Sequence, residues 1–244
     1  MSSHEDLKTN AGPEAGETGA GYQGSGGVIS RFVTPGGHPQ DNTQPAFPVF
    51  HRKFANPAPL GLMSFGGTTI LLSLFNLGTR DITHPNVLVG VALFYGGFCQ
   101  ILAGCMEWAC GNSFGTCAFT GYGAFWMSFG VIYIPWFGIL EAYTDKQELA
   151  NALGLYLVMW GIVTFLLTLC LLRSSVMLLF VFADITLTFF LLAASEFTGN
   201  HTVHMAGGGF GVIGGFAAMY TAVAGLMTAD TAFWLLPVGD LSPK

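Results

Sequence analysis

The dominant pattern along the chain is a polar start followed by long apolar runs with short polar breaks. Residues 1 to about 50 are rich in Gly, Ser, Thr and Pro and have few apolar positions. Such a stretch cannot bury a core, so a disordered polar tail is predicted over 1–53. From Asn56 the character changes, and six runs follow at about 57–77, 85–109, 114–137, 149–171, 175–195 and 205–227. Each is long enough, at roughly 20 mostly apolar residues, to cross a hydrocarbon core of ~30 Å. Pro135 falls near the end of the third run. The expected fold class is all-α: a polytopic membrane protein with six transmembrane helices over 54–228 and a short C-terminal tail over 229–244. The N-terminal stretch lacks the apolar centre of a cleavable signal, so insertion is expected to begin at the first run.

The connections are short. Arg80 and Asp81 sit in the first, Asp145, Lys146 and Glu148 in the third, and Arg173 in the fourth. Arg52, Lys53 and Arg173 fall on the tail side against Arg80 and Lys146 on the other. That balance leans toward both termini inside. Asn200-His201-Thr202 is a formal glycosylation sequon in the last connection, facing outward in this topology but close to the membrane. A short echo links Pro59-Leu60-Gly61-Leu62 with Ala152-Leu153-Gly154-Leu155, as two inverted three-span halves would; chance is the competing explanation.

Composition sharpens the class. The chain is 52% hydrophobic and 9% charged, whereas a soluble domain carries ~25% charged residues. The deficit fits lipid-facing helices, since a mid-helix charge costs ~2.5–3.5 kcal/mol on insertion scales. The formal charge of −6 is spread over tails and loops. No basic patch suits nucleic acid. The five cysteines, Cys99, Cys105, Cys110, Cys117 and Cys170, lie in or beside apolar runs and match no zinc spacing, which reads as small apolar fillers. His51, His84, His201 and His204 form no ligand-spaced cluster. With no nucleophile–base–acid set, neither an enzyme, a metal nor a cofactor is expected.

Several features are candidates for chemistry. In Asn56-Pro57-Ala58-Pro59-Leu60-Gly61-Leu62, Asn56 suits a cap and Pro57 the first helical position. Such an end either simply starts a span or holds an anion on its N–H groups. Gly111-Asn112-Ser113-Phe114-Gly115-Thr116 offers the same two readings, with Asn112 or Ser113 as cap and Thr116 adding a hydroxyl. In the second run, Gly96, Gln100, Ala103 and Glu107 share one small, polar helical face. Glu107 either faces a cavity on a proton pathway or snorkels to the interface. Asp184 lies mid-run with no basic residue in any span to pair with it, and Thr188 one turn along. Burial there favours the neutral acid, as a proton relay or as a plain hydrogen-bonding group. Gly207, Gly211 and Gly215 make overlapping GxxxG units for close helix packing, within or between protomers.

The stretch Asn56 to Leu62 resembles the signature of the acetate uptake transporter family, the succinate–acetate permeases of bacteria and acetate permeases of fungi, also called ammonia/acetate exporters. Pro85-Asn86-Val87, Phe94-Tyr95-Gly96-Gly97 and the stretch Ile132 to Tyr143 are similar to fungal members, and the likeness runs from about Phe54 to residue 227. The resemblance implies a hexamer of six-helix protomers, each with its own substrate path, moving acetate or a similar small carboxylate, often with protons, in a membrane such as the plasma membrane. It also implies a Phe-Tyr-Leu constriction. The Phe falls on Phe65 and the Tyr on Tyr122; the third position falls near Ile185, where Ile replaces Leu and Asp184 stands in place of an apolar neighbour. Asn56, Gly61, Asn112, Thr116 and Gln100 are then candidate substrate contacts, and Glu107 and Asp184 candidate proton-coupling groups. A membrane acetate sensor or scaffold, and an ammonia-conducting channel, are the alternative readings.

Overall fold

The computed structural model describes residues 55–82 and 84–242. The tail predicted over 1–53, including His51, Arg52 and Lys53, lies outside the described residues. Six long helices carry the rest: α1 (Ala58–Asn76), α2 (Val87–Ala109), α3 (Ser113–Ile132), α4 (Lys146–Leu169), α5 (Val176–Thr198) and α6 (His201–Leu226). Five of them, all but α3, are long and apolar enough to cross a membrane. In α3, Ser113, Gly115, Thr116, Thr120, Gly121 and Gly123 dilute an otherwise apolar segment. Its buried side carries Phe119, Tyr122, Phe125, Trp126 and Phe129, so much of this helix meets protein rather than lipid.

Local chemistry sets the ends. The third apolar run extends to 137, but α3 stops at Ile132. Pro135, which has no N–H to continue a ladder, opens a separate 3₁₀ turn over Pro135–Phe137. The sixth run begins near 205, yet α6 starts at His201, because Asn200 accepts from the Thr202 N–H at 2.9 Å and the Val203 N–H at 3.4 Å. The sequon asparagine therefore has its side-chain oxygen occupied as a cap. Within α2, residues Ala92–Cys99 form a π-helical stretch. The face of Gly96, Gln100, Ala103 and Glu107 is nonetheless buried as a unit.

Around the bundle, α1 packs against α6 and α2, α6 against α5, α5 against α4, and α2 against α3. Side chains close the ring between α3 and α4: Tyr122 bonds Thr164, and the Phe125 and Trp160 rings meet edge-on at 5.3 Å. The glycine face of α6 is seated inside this unit. A Cβ on Gly215 would meet Ile70 at 2.6 Å, one on Gly207 would meet Leu192 at 2.8 Å, and one on Gly211 would meet the Ser73 hydroxyl. The GxxxG pattern thus joins α6 to α1 and α5 of the same chain. The echo glycines Gly61 and Gly154 each lie under a ring, of Phe119 and Phe197 respectively. Those rings come from α3 and α5, which are not equivalent in a three-plus-three repeat.

Beyond α6 the chain turns back as a strap. The Tyr220 hydroxyl donates to the Pro237 carbonyl at 2.8 Å. Val176 N–H donates to the Gly239 carbonyl at 2.9 Å and Met177 N–H to the Val238 carbonyl at 3.0 Å. These bonds satisfy donors that the start of α5 would otherwise leave free. Among the described residues no strand forms; an isolated bridge pairs Ser175 with Asp240.

Candidate functional site: a two-collar path

Three cavities follow one another within the ring, neighbours sharing wall residues. One, of about 300 Å³, lies on the side of the strap. Its walls hold the starts of α1 (Ala58, Pro59), α3 (Asn112, Phe114, Gly115) and α5 (Ser175, Leu178), with Leu236 and Val238 of the strap. A second, of about 110 Å³, lies at the opposite end, lined among others by Ser73, Asn76, Tyr133, Tyr156, Glu196 and His204. Between them sits a chamber of about 10 Å³, room for roughly one water-sized group.

The chamber is bounded by two collars. Phe65 and Ile185 also line the far vestibule, and with Tyr122 they form the outer collar. Leu62, Phe119 and Phe182 also line the strap-side cavity and form the inner collar. In each of α1, α3 and α5 the inner residue precedes the outer one by three positions: Leu62 and Phe65, Phe119 and Tyr122, Phe182 and Ile185. The three helices start on the same side, so this spacing stacks the collars ~4.5 Å apart along the axis. The rings touch: Phe65 and Tyr122 centroids are 5.1 Å apart, Tyr122 and Phe182 5.8 Å. Gln100, from α2, supplies an amide to the chamber wall. It is 1% exposed, and neither its amide nitrogen nor its oxygen has a partner.

The other sequence candidates fall elsewhere. Asn56 accepts from Ala58 N–H at 3.1 Å and donates to the Gly225 carbonyl at 3.4 Å, tying the start of α1 to the end of α6. Asn112 caps α3 by accepting from Gly115 N–H at 3.0 Å. The Thr116 hydroxyl is spent on the Asn112 carbonyl at 2.9 Å. Ser175 caps α5 by accepting from Leu178 N–H at 3.3 Å. Three positive helix ends therefore converge on the strap-side cavity, two of them capped by Asn112 and Ser175 and the first held by Asn56, leaving their dipoles as the field an anion meets. Gly61 is a close-approach position, because a Cβ there would lie 2.6 Å from the Phe119 ring.

Glu107 does not snorkel: it is 3% exposed. Its Oε2 accepts from the Asn112 amide at 2.7 Å, while Oε1 has no partner. It stands behind the cap of α3, and none of the three cavities is lined by it. Asp184, 7% exposed, faces Gly214 of α6, whose missing side chain makes room for the carboxylate. It too lies outside the cavity walls, although Thr188, one turn along, is on the far vestibule.

Sequence reasoning missed the inner collar, the strap, and Glu196 with His204. The collar was findable by stepping one helical turn back from Phe65, Tyr122 and Ile185. The other two depend on contacts between α5 and α6, or on a tail with no periodicity.

Comparison with known proteins places this arrangement in context. Residues 39–243 match the profile of the GPR1/FUN34/yaaH family. The ammonia transport outward protein 2 of Saccharomyces cerevisiae is 51% identical over 74% of this chain and 64% of its own length. The succinate-acetate/proton symporter SatP of Escherichia coli K12 is 39% identical over 77% of this chain and 97% of its own. The solved structure of the bacterial acetate channel SatP superposes with a TM-score of 0.70 at 39% identity, covering 77% of this chain and all of that one. The chain spans just under two thirds of the yeast relative's length.

Proposed function

Because the chain belongs to the GPR1/FUN34/yaaH family, the acetate-transporter family its Asn56–Leu62 signature resembles, we propose that it carries acetate and related small monocarboxylates across a membrane, with protons, along the collar path. All six helices span the bilayer in this reading, α3 shielded by its neighbours. Protomers assemble as a homo-oligomer, a hexamer, in the plasma membrane. Transport, rather than covalent chemistry, is the work of the site.

The observation that carries the reading is Gln100. Two apolar collars exclude a hydrated anion, since a charge at such depth costs ~2.5–3.5 kcal/mol or more. Between them stands a buried amide with both its donor and its acceptor free. A protonated carboxylic acid offers the complementary pair: its carbonyl accepts from Nε2 and its hydroxyl donates to Oε1. An ionised carboxylate would satisfy only the nitrogen. The amide thus favours the neutral acid, which makes net transport one proton per acid. The closed chamber has room for about one water-sized group, so the acid enters as the rings of Phe65, Tyr122 and Phe182 move apart around its methyl group.

The yeast relative's name also points to ammonia, and a chamber of this size admits it; that is the second reading. Radiolabelled acetate uptake by the full chain in liposomes, with and without a pH gradient, separates the two. Gradient-driven acetate accumulation is expected. Its absence, with ammonia flux intact, would replace the first reading with the second.

A further inference from the structure

If the collars pass the neutral acid, the proton must be loaded before the substrate reaches them. Among the described residues lining the three cavities, the titratable side chains other than tyrosines are Glu196 and His204, both in the far vestibule. The sequence candidates Glu107 and Asp184 are not on its walls.

The geometry fixes which atom of His204 titrates. The Ser195 hydroxyl donates its single hydrogen to the Leu192 carbonyl at 2.7 Å. Its oxygen lies 3.1 Å from His204 Nδ1. With that hydrogen on the carbonyl, the tautomer that keeps the Ser195 contact has Nδ1 as donor and Ser195 as acceptor. The neutral ring is therefore the Nδ1–H tautomer, and Nε2 is the nitrogen left to take and give a proton. Histidine is the side chain whose ordinary charge change falls between about pH 5 and 8. The groups sharing its vestibule are Glu196 on α5, Tyr133 just after α3 and Tyr156 on α4, with His201 acting on it from its own helix, while α1 contributes the uncharged Thr69, Ser73 and Asn76.

We propose that His204 is the proton-loading site of the path, with Glu196 the acidic group of the same vestibule; this rests on the transport reading above. An imidazolium attracts the entering carboxylate. Its Nε2 proton passes to a carboxylate oxygen, leaving a neutral ring and a neutral acid. The acid moves inward through the outer collar to Gln100, and Nε2 takes its next proton from solution.

The test uses the full chain in liposomes with radiolabelled acetate outside and a trapped pH dye inside. Parent, His204→Gln, Glu196→Gln and Ser195→Ala are compared across external pH 5 to 8, together with acetate exchange at equal pH, which needs no net proton movement. We expect His204→Gln to flatten the pH profile and to lower acetate uptake, exchange and acetate-linked proton entry together about tenfold or more, because each crossing needs the loaded acid, and Glu196→Gln to move the profile to lower pH. Ser195→Ala should change the profile less than His204→Gln, because the imidazole remains and only its Nδ1 partner is lost. Parental pH profiles and proton entry in both His204→Gln and Glu196→Gln would overturn the proposal, as would a parent whose acetate flux carries no protons. The same loss of uptake and exchange in Ser195→Ala, which keeps the imidazole, would assign the effect to helix packing and overturn it too. No acetate flux in the parent would instead sink the transport reading on which it stands.

Discussion

The hydroxyl of Tyr122 donates to Thr164 Oγ1 at 2.9 Å, which pins the outer collar on α3 to a helix that contributes nothing else to it. Thr164 in turn donates to the Trp160 carbonyl at 2.8 Å, and both residues are buried. The ring of Tyr122 is thereby held against Phe65 and Phe182 rather than left to swing across the path. Thr164→Val leaves the tyrosine hydroxyl buried without an acceptor, a loss of ~1–3 kcal/mol. Tyr122→Phe leaves Thr164 with its own helix bond and should cost less, ~0.5–1.5 kcal/mol. Thermal unfolding of both variants in detergent should rank Thr164→Val as the less stable. The reverse order would mean that the bond does not carry the collar.

Trimming the collars should widen selectivity before it ends transport. Phe65→Ala, Tyr122→Ala and, from the inner collar, Phe182→Ala should each raise lactate or succinate uptake relative to acetate. Differences of a few carbon atoms in a pocket are worth ~1–3 kcal/mol, so a shift of roughly tenfold to a hundredfold is expected. Well-expressed variants at all three positions that keep the parent acetate-to-lactate ratio would remove these rings from the filter.

Gln100 should trade stability for function. An unpartnered buried amide costs ~1–3 kcal/mol in the resting protein, so Gln100→Leu should raise the unfolding temperature. The same change removes the pair that recognises the acid and should cut acetate uptake about tenfold or more. A variant less stable than the parent, or one that transports normally, would show that the amide is satisfied or unused.

Glu107 and Asp184 should prove to be packing residues of the bundle. Glu107→Gln keeps an acceptor for the Asn112 amide, and Asp184→Asn still fits against Gly214. Both should retain the parent dependence of uptake on pH. Glu107→Ala and Gly214→Leu should instead lower the unfolding temperature, by losing the Asn112 contact and by driving a side chain into Asp184 and Ile185. A flattened pH profile in either conservative variant would return that carboxyl to the proton path.

Gly211→Leu should act within one chain. The added side chain meets Ser73 on α1 and Thr188 on α5, so α6 cannot seat. Loss of folded monomer is the expected result, read by size-exclusion chromatography. Well-folded protein with only a smaller oligomer would move this face to a protomer boundary.

The sequence by itself determined where most helices lie, because hydrophobic run length and capping are local. Asn112 and Ser175 cap the helices that follow them from within four residues, and Asn56 holds the start of α1 from two residues away. It missed the end of α3, because Pro135 stops a helix only after Tyr133 has already turned, and apolar content alone does not mark that turn. The collars were half legible. Phe65, Tyr122 and Ile185 were reached through a family signature, but nothing local reveals that residues about sixty positions apart face one axis. That follows from three helices starting on one side and packing in a ring. Only the tertiary structure placed Gln100 between the collars, Glu107 behind a cap, and Asp184 against α6. A buried polar residue reads the same in sequence whether it faces a cavity or a neighbouring helix. The helical period fixes its face, and packing alone decides what that face meets.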